Sequence, residues 1–397
     1  MARICPNPTC GKRYPDEVAF CGECGSITIQ EQLPNDHDPR LGQRLGEYLV
    51  VARVADGAMG RVYEGRHFDT RERVAIKVLH SAVARDPVSV ERFKREYETA
   101  RDLAHPYIVR VIDFGGTPDG SSFLTMEFLE GEELGKMLRR GQLLEPARLV
   151  RTFAQLALGL DHAHSFGVIH RDLKPDNIFL CRSADGDVVR ILDFGSVKLQ
   201  MDTGPKLTAF GTTLGSPFYM SPEQAMGKQD VDLRTDVFAL AAILYECCTG
   251  KVAFDAQNIA QILMKIINEP VTPPSQQVPG LPPRLDDVVD RGLRKDKRSR
   301  YASASLLAAG LCDAYGLEAN VTRWAAASMS EIAQSLSTSA PPPAGAFVES
   351  IRPGAELPLN RRDSLPARPP VHGSGVMIGV AVGAVAVVAL VAALLLR

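Results

Sequence analysis

His170 to Asn177, "HRDLKPDN", puts a carboxylate (Asp172), an ammonium (Lys174) and an amide (Asn177) into one short loop after the apolar approach "GVI" (167–169). Asp193 comes 21 residues after Asp172, in "ILDFGSV" (191–197), between an apolar strand-like run and a glycine. Phosphoryl transfer needs this inventory. One carboxylate orients the attacking hydroxyl and accepts its proton, while an amide and a second carboxylate hold Mg²⁺. Cations neutralise the charge that grows on the transferred group.

Upstream lies "RVAIKVLH" (73–80), rich in β-branched and apolar residues and read as a strand, with Lys77 inside it. A lysine there is expensive to bury without an anionic partner. Glu96, on the amphipathic helix read from "SVERFKREYETARDLA" (89–104), supplies one. Taken singly, either residue reads as a surface charge on a long apolar stem. Before them, "VADGAMGRVYEG" (54–65) keeps Gly57 and Gly60 but has Ala55 where a glycine-rich phosphate loop usually has its first glycine. Two glycines three apart also describe many tight hairpins, so this stretch decides nothing alone.

The chain has 397 residues, 45 basic against 47 acidic, and a formal charge of -2, so no global field favours nucleic acid or membrane. Its 45% hydrophobic content suffices for a sizeable core. Composition divides it into a Cys-, Pro- and Gly-rich segment (1–25), a polar connector (26–44), a globular region (45–315), a helical extension around Trp324 (316–336) and a proline-rich, unpacked linker (337–375). Within the globular region, "LVRTFAQLALGLDHAHSFG" (149–167) and "VFALAAILYECCTG" (237–250) read as buried helices closing at glycine. Cys181, Cys247, Cys248 and Cys312 sit among apolar residues and read as buried thiols. The start has no apolar signal segment. Residues 376–396, "VMIGVAVGAVAVVALVAALLL", hold no charge or amide. At 1.5 Å per residue they span roughly 31 Å, the thickness of a hydrocarbon core, and read as a transmembrane helix. Arg361, Arg362 and Arg368 precede it and Arg397 alone follows, which expects a single-pass tail anchor with the large N-terminal part in the cytoplasm.

In order and spacing, "VAIK", "HRDLKPDN", "DFG" and "SPE" resemble the bacterial eukaryotic-like serine/threonine protein kinases over about residues 45–315. The resemblance implies an α+β, bilobal protein-kinase fold: an antiparallel β N-lobe, a mainly helical C-lobe and ATP between them. It implies Asp172 as catalytic base, Lys174 near the γ-phosphate, and Lys77 on the α and β phosphates, paired with Glu96. Asn177 and Asp193 would bind Mg²⁺ (or Mn²⁺). The ATP site would comprise Val54, Ala55, Gly57, Gly60, Val62, Ala75 and Lys77, with Met126 as gatekeeper and adenine on the backbone from Glu127 to Leu129. Glu223 would pair with Arg300 to anchor the activation segment, and Asp236 would brace the catalytic loop from below. Relatives commonly read Gly-x-Gly-Gly-Met-Gly where this chain has Ala55 and Ala58, which expects a stiffer loop and weaker ATP binding without loss of any charge or metal ligand. Lys174 and Ser216 point to serine/threonine specificity. Arg171, an unpaired cation beside the base, expects activation by phosphorylation at Thr208, Thr212 or Thr213, through trans-autophosphorylation between copies.

Cys5 and Cys10 are separated by four residues, Cys21 and Cys24 by two, and glycine follows the second cysteine of each pair. Two such knuckles suit tetrahedral Zn²⁺, and the segment is similar to the short zinc-ribbon modules of bacterial regulatory proteins, though Cys-x4-Cys is wider than their usual spacing. A reducing cytoplasm argues against disulfides. Four thiolates leave no open position, so the zinc is structural; partner contact, dimerisation and sensing all remain open as roles. The function this expects is a membrane-tethered kinase acting on Ser/Thr of protein substrates. The alternative is a pseudokinase scaffold presenting its ribbon, against which Lys77, Asp172, Asn177 and Asp193 are all retained. Nucleic-acid binding is not expected, because Arg3, Lys12 and Arg13 are balanced by Asp16, Glu17 and Glu23.

Overall fold

The first thirty residues contain few apolar side chains and form three two-residue strands, β1 (Arg3–Ile4), β2 (Arg13–Tyr14) and β3 (Ile29–Gln30), antiparallel in the order β2-β1-β3. The computed structural model describes residues 2–32, 37–57, 59–194 and 217–338. A six-stranded antiparallel sheet follows, in the order β4-β5-β6-β7-β9-β8. Its strands are β4 (Arg44–Leu45), β5 (Tyr48–Asp56), β6 (Gly60–His67), β7 (Arg73–Leu79), β8 (Val111–Gly116) and β9 (Ser122–Glu127). The two-residue period of β7 sends Val74, Ile76 and Val78 into one apolar cluster with Tyr48, Val50, Tyr63 and Phe123. It therefore turns Ala75, Lys77 and Leu79 to the opposite face, where Leu79 packs with Phe93 and Ala100 of α2.

Helix α1 (Ser81–Ala84) is one turn long, and α2 (Pro87–Asp102) is the amphipathic helix expected from the sequence. Asp86 caps α2 by accepting from the amides of Val88 and Ser89, and Pro87 occupies the first turn, where a missing N–H costs nothing. The described end of the segment read as a connector, from residue 37 on, packs against the sheet. Asp38 is buried, accepting from the Tyr63 hydroxyl (3.0 Å) and from Arg61 Nη1 (2.9 Å).

The rest of the described chain is mainly helical. A small sheet of β10 (Gly131–Glu133), β11 (Ile178–Cys181) and β12 (Val188–Ile191) is followed or flanked by ten helices. They are α3 (Leu134–Arg139), α4 (Pro146–Ser165), α5 (Pro222–Ala225), α6 (Arg234–Thr249), α7 (Ile259–Asn268), α8 (Pro274–Gln277), α9 (Pro283–Gly292), α10 (Ala304–Ala314), α11 (Val321–Ala326) and α12 (Met329–Thr338). The largest apolar cluster centres on α4 and α6, whose Leu149, Phe153, Leu160, Phe238, Leu240 and Ile243 are fully buried. Both are the helices read from their apolar runs. Gly250, left-handed at φ 70°, ends α6, and Gly167 (φ 73°) follows the last turn of α4. Helices α11 and α12 belong to this lobe: Trp324 and Ile332 are buried, and the Ala325 carbonyl accepts from Gln155 Nε2 (3.0 Å) of α4. Among the described residues no helix is long and apolar enough to cross a membrane. The apolar run 376–396, the linker beyond Thr338, and Ala58, Gly195, Thr208, Thr212, Thr213 and Ser216 lie outside the described residues.

Candidate active site

Lys77 stands on β7 and Glu96 on α2, and the packing of α2 on the sheet brings them to 3.0 Å. Asp193 reaches the same ammonium at 2.9 Å. Burial works against the charge on Lys77, but the two carboxylates outweigh it and hold the lysine above its ordinary range. Burial pushes Glu96 up despite Lys77, whereas Asp193 stays below the usual carboxylate range because Lys77 overcomes its desolvation. One cation is thus shared by two anions, a cluster suited to redistribution when a further cation enters beside Asp193.

The loop "HRDLKPDN" begins at a strained turn. Arg171 has φ 65° and Asp193 φ 55°, left-handed values that side chains bearing Cβ rarely adopt. Surrounding bonds hold Arg171 there. Its amide and that of His170 each donate to buried Asp236, both at 2.8 Å, and its carbonyl accepts from Gln224 Nε2 at 2.7 Å. The His170 ring packs edge-on to Phe194, centroids 4.8 Å apart, with its Nε2 2.9 Å from the Leu192 carbonyl, so the two loops are locked together. Asp172 accepts from Lys174 Nζ at 2.7 Å. Asn177 donates its amide N–H to the Asp172 carbonyl (2.7 Å), which leaves the amide oxygen as the end that can ligate a cation.

His164 is a buried partner of Asp236 that the motif reading passed over. On α4, its Nε2 lies 2.7 Å from Asp236 Oδ2. Burial would lower its pKa, yet Asp161 and Asp236 raise it to about 9. The only sequence signal was a histidine six residues before His170, on a helix already read as buried. Because the folded value lies above the ordinary 6.5, this contribution to stability is complete below pH 6.5 and lost as pH rises through about 9. Thermal unfolding should accordingly show the wild type losing its margin over His164→Gln between those pH values; a margin constant with pH would contradict it.

In the glycine-rich loop the sequence expectation for Ala55 changes. Ala55 lies within β5, paired with Val62, and its φ is not positive, so a glycine's freedom is not used there. Gly60 is the constrained position: a Cβ on it would collide with the Val78 carbonyl oxygen. The turn closes with the Gly57 amide on the Gly60 carbonyl (2.9 Å). Ala55→Gly should therefore cost about 0.5–1 kcal/mol of stability and leave the affinity for ATP no tighter, measurable by thermal unfolding and nucleotide titration. Across the sheet, Ala55, Val62, Lys77 and Leu124 form one cross-strand row, and Ala75 pairs with Met126. Val54 is exposed at the rim. Glu127 Oε1 accepts from the Arg110 amide (2.8 Å) and from Arg190 Nε (3.2 Å), fixing the segment that leads through half-buried Leu129.

Two lobes, a glycine turn, a half-buried lysine held by two carboxylates and a braced acidic loop now stand together, and the comparisons agree with them. The protein kinase domain model matches residues 48–311. This chain belongs to the protein kinase family. It is similar to Serine/threonine-protein kinase pkn3 of Myxococcus xanthus, 38% identical over 282 residues, 70% of this chain and 51% of that relative. Serine/threonine-protein kinase PknH of Mycobacterium tuberculosis is also 38% identical, over 70% of this chain and 43% of its own length. The chain thus spans about half the length of these relatives. The crystal structure of the Mycobacterium tuberculosis PknI kinase domain superposes with a TM-score of 0.54 at 29% identity, covering 69% of this chain and 98% of that one.

In the kinase C-lobe, Glu223 and Arg300 form a buried bidentate pair, both bonds 2.7 Å. Ahead of the kinase domain, the thiols of Cys5, Cys10, Cys21 and Cys24 all lie within 4.8 Å of one another. Cys5 is 3.5 Å from Cys24 and Cys10 3.5 Å from Cys21. Four sulfurs at 2.3 Å from Zn²⁺ stand about 3.8 Å apart, so the set fits that ion. The glycines after each pair, Gly11 (φ 58°) and Gly25 (φ 69°), take the left-handed conformation that turns the chain. Backbone N–H groups of Asn7, Lys12, Glu23 and Ser26 donate to the sulfurs. The wider first spacing is absorbed in a turn, with the amides of Cys10 and Gly11 on the Asn7 carbonyl at 2.9 and 3.1 Å.

Proposed function

We propose that this chain is a catalytically competent serine/threonine protein kinase that transfers the γ-phosphoryl group of ATP to Ser or Thr hydroxyls of protein substrates. The observation that carries the reading is the joint placement of Lys77, Glu96 and Asp193 within 3.0 Å contacts above a loop presenting Asp172, Lys174 and Asn177. Asp172 is the group that accepts the hydroxyl proton, and Lys174 is the cation facing the charge that develops on the transferred group. Asn177 and Asp193 would hold Mg²⁺ (or Mn²⁺), which supplies charge neutralisation at the phosphates. Lys77 would hold the α and β phosphates, steadied by Glu96. Adenine would lie between Ala75 and the Glu127–Leu129 backbone.

The finer reading is a tethered signalling enzyme. The apolar run 376–396 anchors the chain, and a linker of about 39 residues gives the kinase a reach on the order of 35 Å from the cytoplasmic membrane face. Confinement near other copies favours trans-autophosphorylation at Thr208, Thr212 or Thr213. The four thiolates bind a structural Zn²⁺. Incubation of the full chain with Mg²⁺ and γ-labelled ATP, followed by phosphoamino-acid analysis, tests the central claim. Label on phosphoserine and phosphothreonine is expected. A folded, ATP-binding chain that transfers no label would leave the pseudokinase scaffold instead.

A further inference from the structure

The cysteine module is fastened to the nucleotide-binding sheet by a buried ion pair. Arg3 of β1, two residues before Cys5, is 6% exposed, and Glu64 of β6 is 3% exposed. Arg3 Nη2 donates to Glu64 Oε2 at 3.0 Å, and its Nε to the Asp16 carbonyl at 2.6 Å. Glu64 also meets Arg73 (3.1 Å) and Arg66 (3.5 Å). Arg73 in turn lies over Phe128, its guanidinium carbon 3.7 Å from the ring centroid, and donates to Glu130 at 2.7 Å. Phe128 stands between Glu127 and Leu129, the backbone segment assigned above to adenine.

Position on the sheet matters as much as contact. Glu64 is two residues from Val62 and pairs across to Ala75, so it shares the sheet face that would cover the nucleotide. Arg3, Gln30, Arg53, Val54, Glu64 and Phe128 line one common cleft, so module and nucleotide rim are continuous. A second tie joins them: Gln30 Oε1 accepts from the Arg53 amide at 2.9 Å, next to Val54. The module itself buries few apolar side chains beyond Cys5, Cys21 and Ile27. So small an interior orders β1 only with metal on its thiolates.

We infer that Arg3 and Glu64 are positioning residues through which the metal-loaded module tightens ATP binding, with the metal setting whether Arg3 is presented to Glu64. Without metal, Arg3 leaves. Glu64, freed of one of its cations, then draws Arg73 away from Phe128 at the adenine end of the cleft. This rests on the kinase reading and on zinc occupancy of the cysteines.

The test measures binding of a fluorescent ATP analogue with Mg²⁺ by the full chain, alongside zinc content and steady-state kinetics. Stripping zinc from the wild type should weaken binding by about five-fold or more, the range of a typical coupling between sites. Arg3→Gln should weaken it equally while retaining one zinc, and stripping that variant should add nothing. KM for ATP should rise in step, kcat at saturating ATP should hold, and Arg3→Lys should recover part of the loss. If Arg3→Gln loses its zinc, Glu64→Gln breaks the same contact from the kinase side and must give the same weakening. Unchanged or tighter nucleotide binding after stripping, or in a zinc-retaining Arg3→Gln, overturns the inference. A wild type that binds no zinc removes the switch. A wild type that binds no nucleotide overturns the kinase reading itself.

Discussion

Asp172→Asn should lower kcat by about 10²–10⁴ while the chain still binds ATP, because it removes a proton acceptor and little else. Asparagine is nearly isosteric with aspartate. The backbone carbonyl of residue 172, which accepts from Asn177 at 2.7 Å, is untouched, and the strained turn at Arg171 is held by Asp236 and Gln224 rather than by the Asp172 side chain. The exchange takes the negative charge away from Lys174, now 2.7 Å from it, and leaves an amide that cannot accept the hydroxyl proton. Lys77, Glu96 and Asp193 form a separate cluster, so nucleotide affinity should stay within a few-fold of the wild type. Single-turnover transfer to a Ser/Thr peptide, beside titration with a fluorescent ATP analogue, separates the two quantities. Transfer at the wild-type rate would remove Asp172 from the chemistry, and a parallel collapse of ATP binding would make its role structural.

The residues legible in the sequence were those whose chemistry is concentrated locally. Asp172, Lys174 and Asn177 share one loop, and an ammonium inside the apolar strand β7 calls for an anionic partner that the amphipathic helix α2 offers in Glu96, although the pairing itself is implied only by the family resemblance. Cysteine spacing likewise brought four thiols together on paper. What escaped were contacts between residues far apart with no shared period. Arg3 and Glu64 are 61 residues apart, and His164 and Asp236 are 72 apart. Each, read alone, is an ordinary charge or an ordinary buried histidine. Ala55 escaped for a different reason. The glycine pattern predicts a turn residue, but the strand pairing of β5 extends one step past it to Asp56 opposite Arg61, and a paired strand position tolerates alanine.

Arg300→Met should be the most damaging single change away from the cleft, costing about 3–5 kcal/mol, since it leaves the Glu223 charge buried without its partner. The Arg300 side chain is 0% exposed and that of Glu223 is 5% exposed. Every guanidinium N–H direction is used. Nη1 and Nη2 each donate to Glu223 at 2.7 Å, Nε to the Arg294 carbonyl at 2.7 Å, and the η nitrogens also to the Arg234 and Lys295 carbonyls at 3.0 and 3.2 Å. These partners come from α5, the start of α6 and the loop before Tyr301, so one planar fork ties three segments of the helical lobe together. A point-charge ammonium cannot fill that fork, and Arg300→Lys should recover less than half of the loss. The melting temperature of Arg300→Met should fall by on the order of 10 °C in thermal unfolding. Removing both charges together, as Glu223→Leu with Arg300→Met, should restore part of it, because no orphaned carboxylate then remains. The acid limb gives an independent check. Burial opposes ionisation of Glu223, but Arg300 holds its pKa below the ordinary 4.5, so its contribution is complete above that value and disappears as pH falls through the lowered one. The wild type should therefore lose stability in that acid range more steeply than the double variant, and equal slopes would show that this pair does not tie the lobe together.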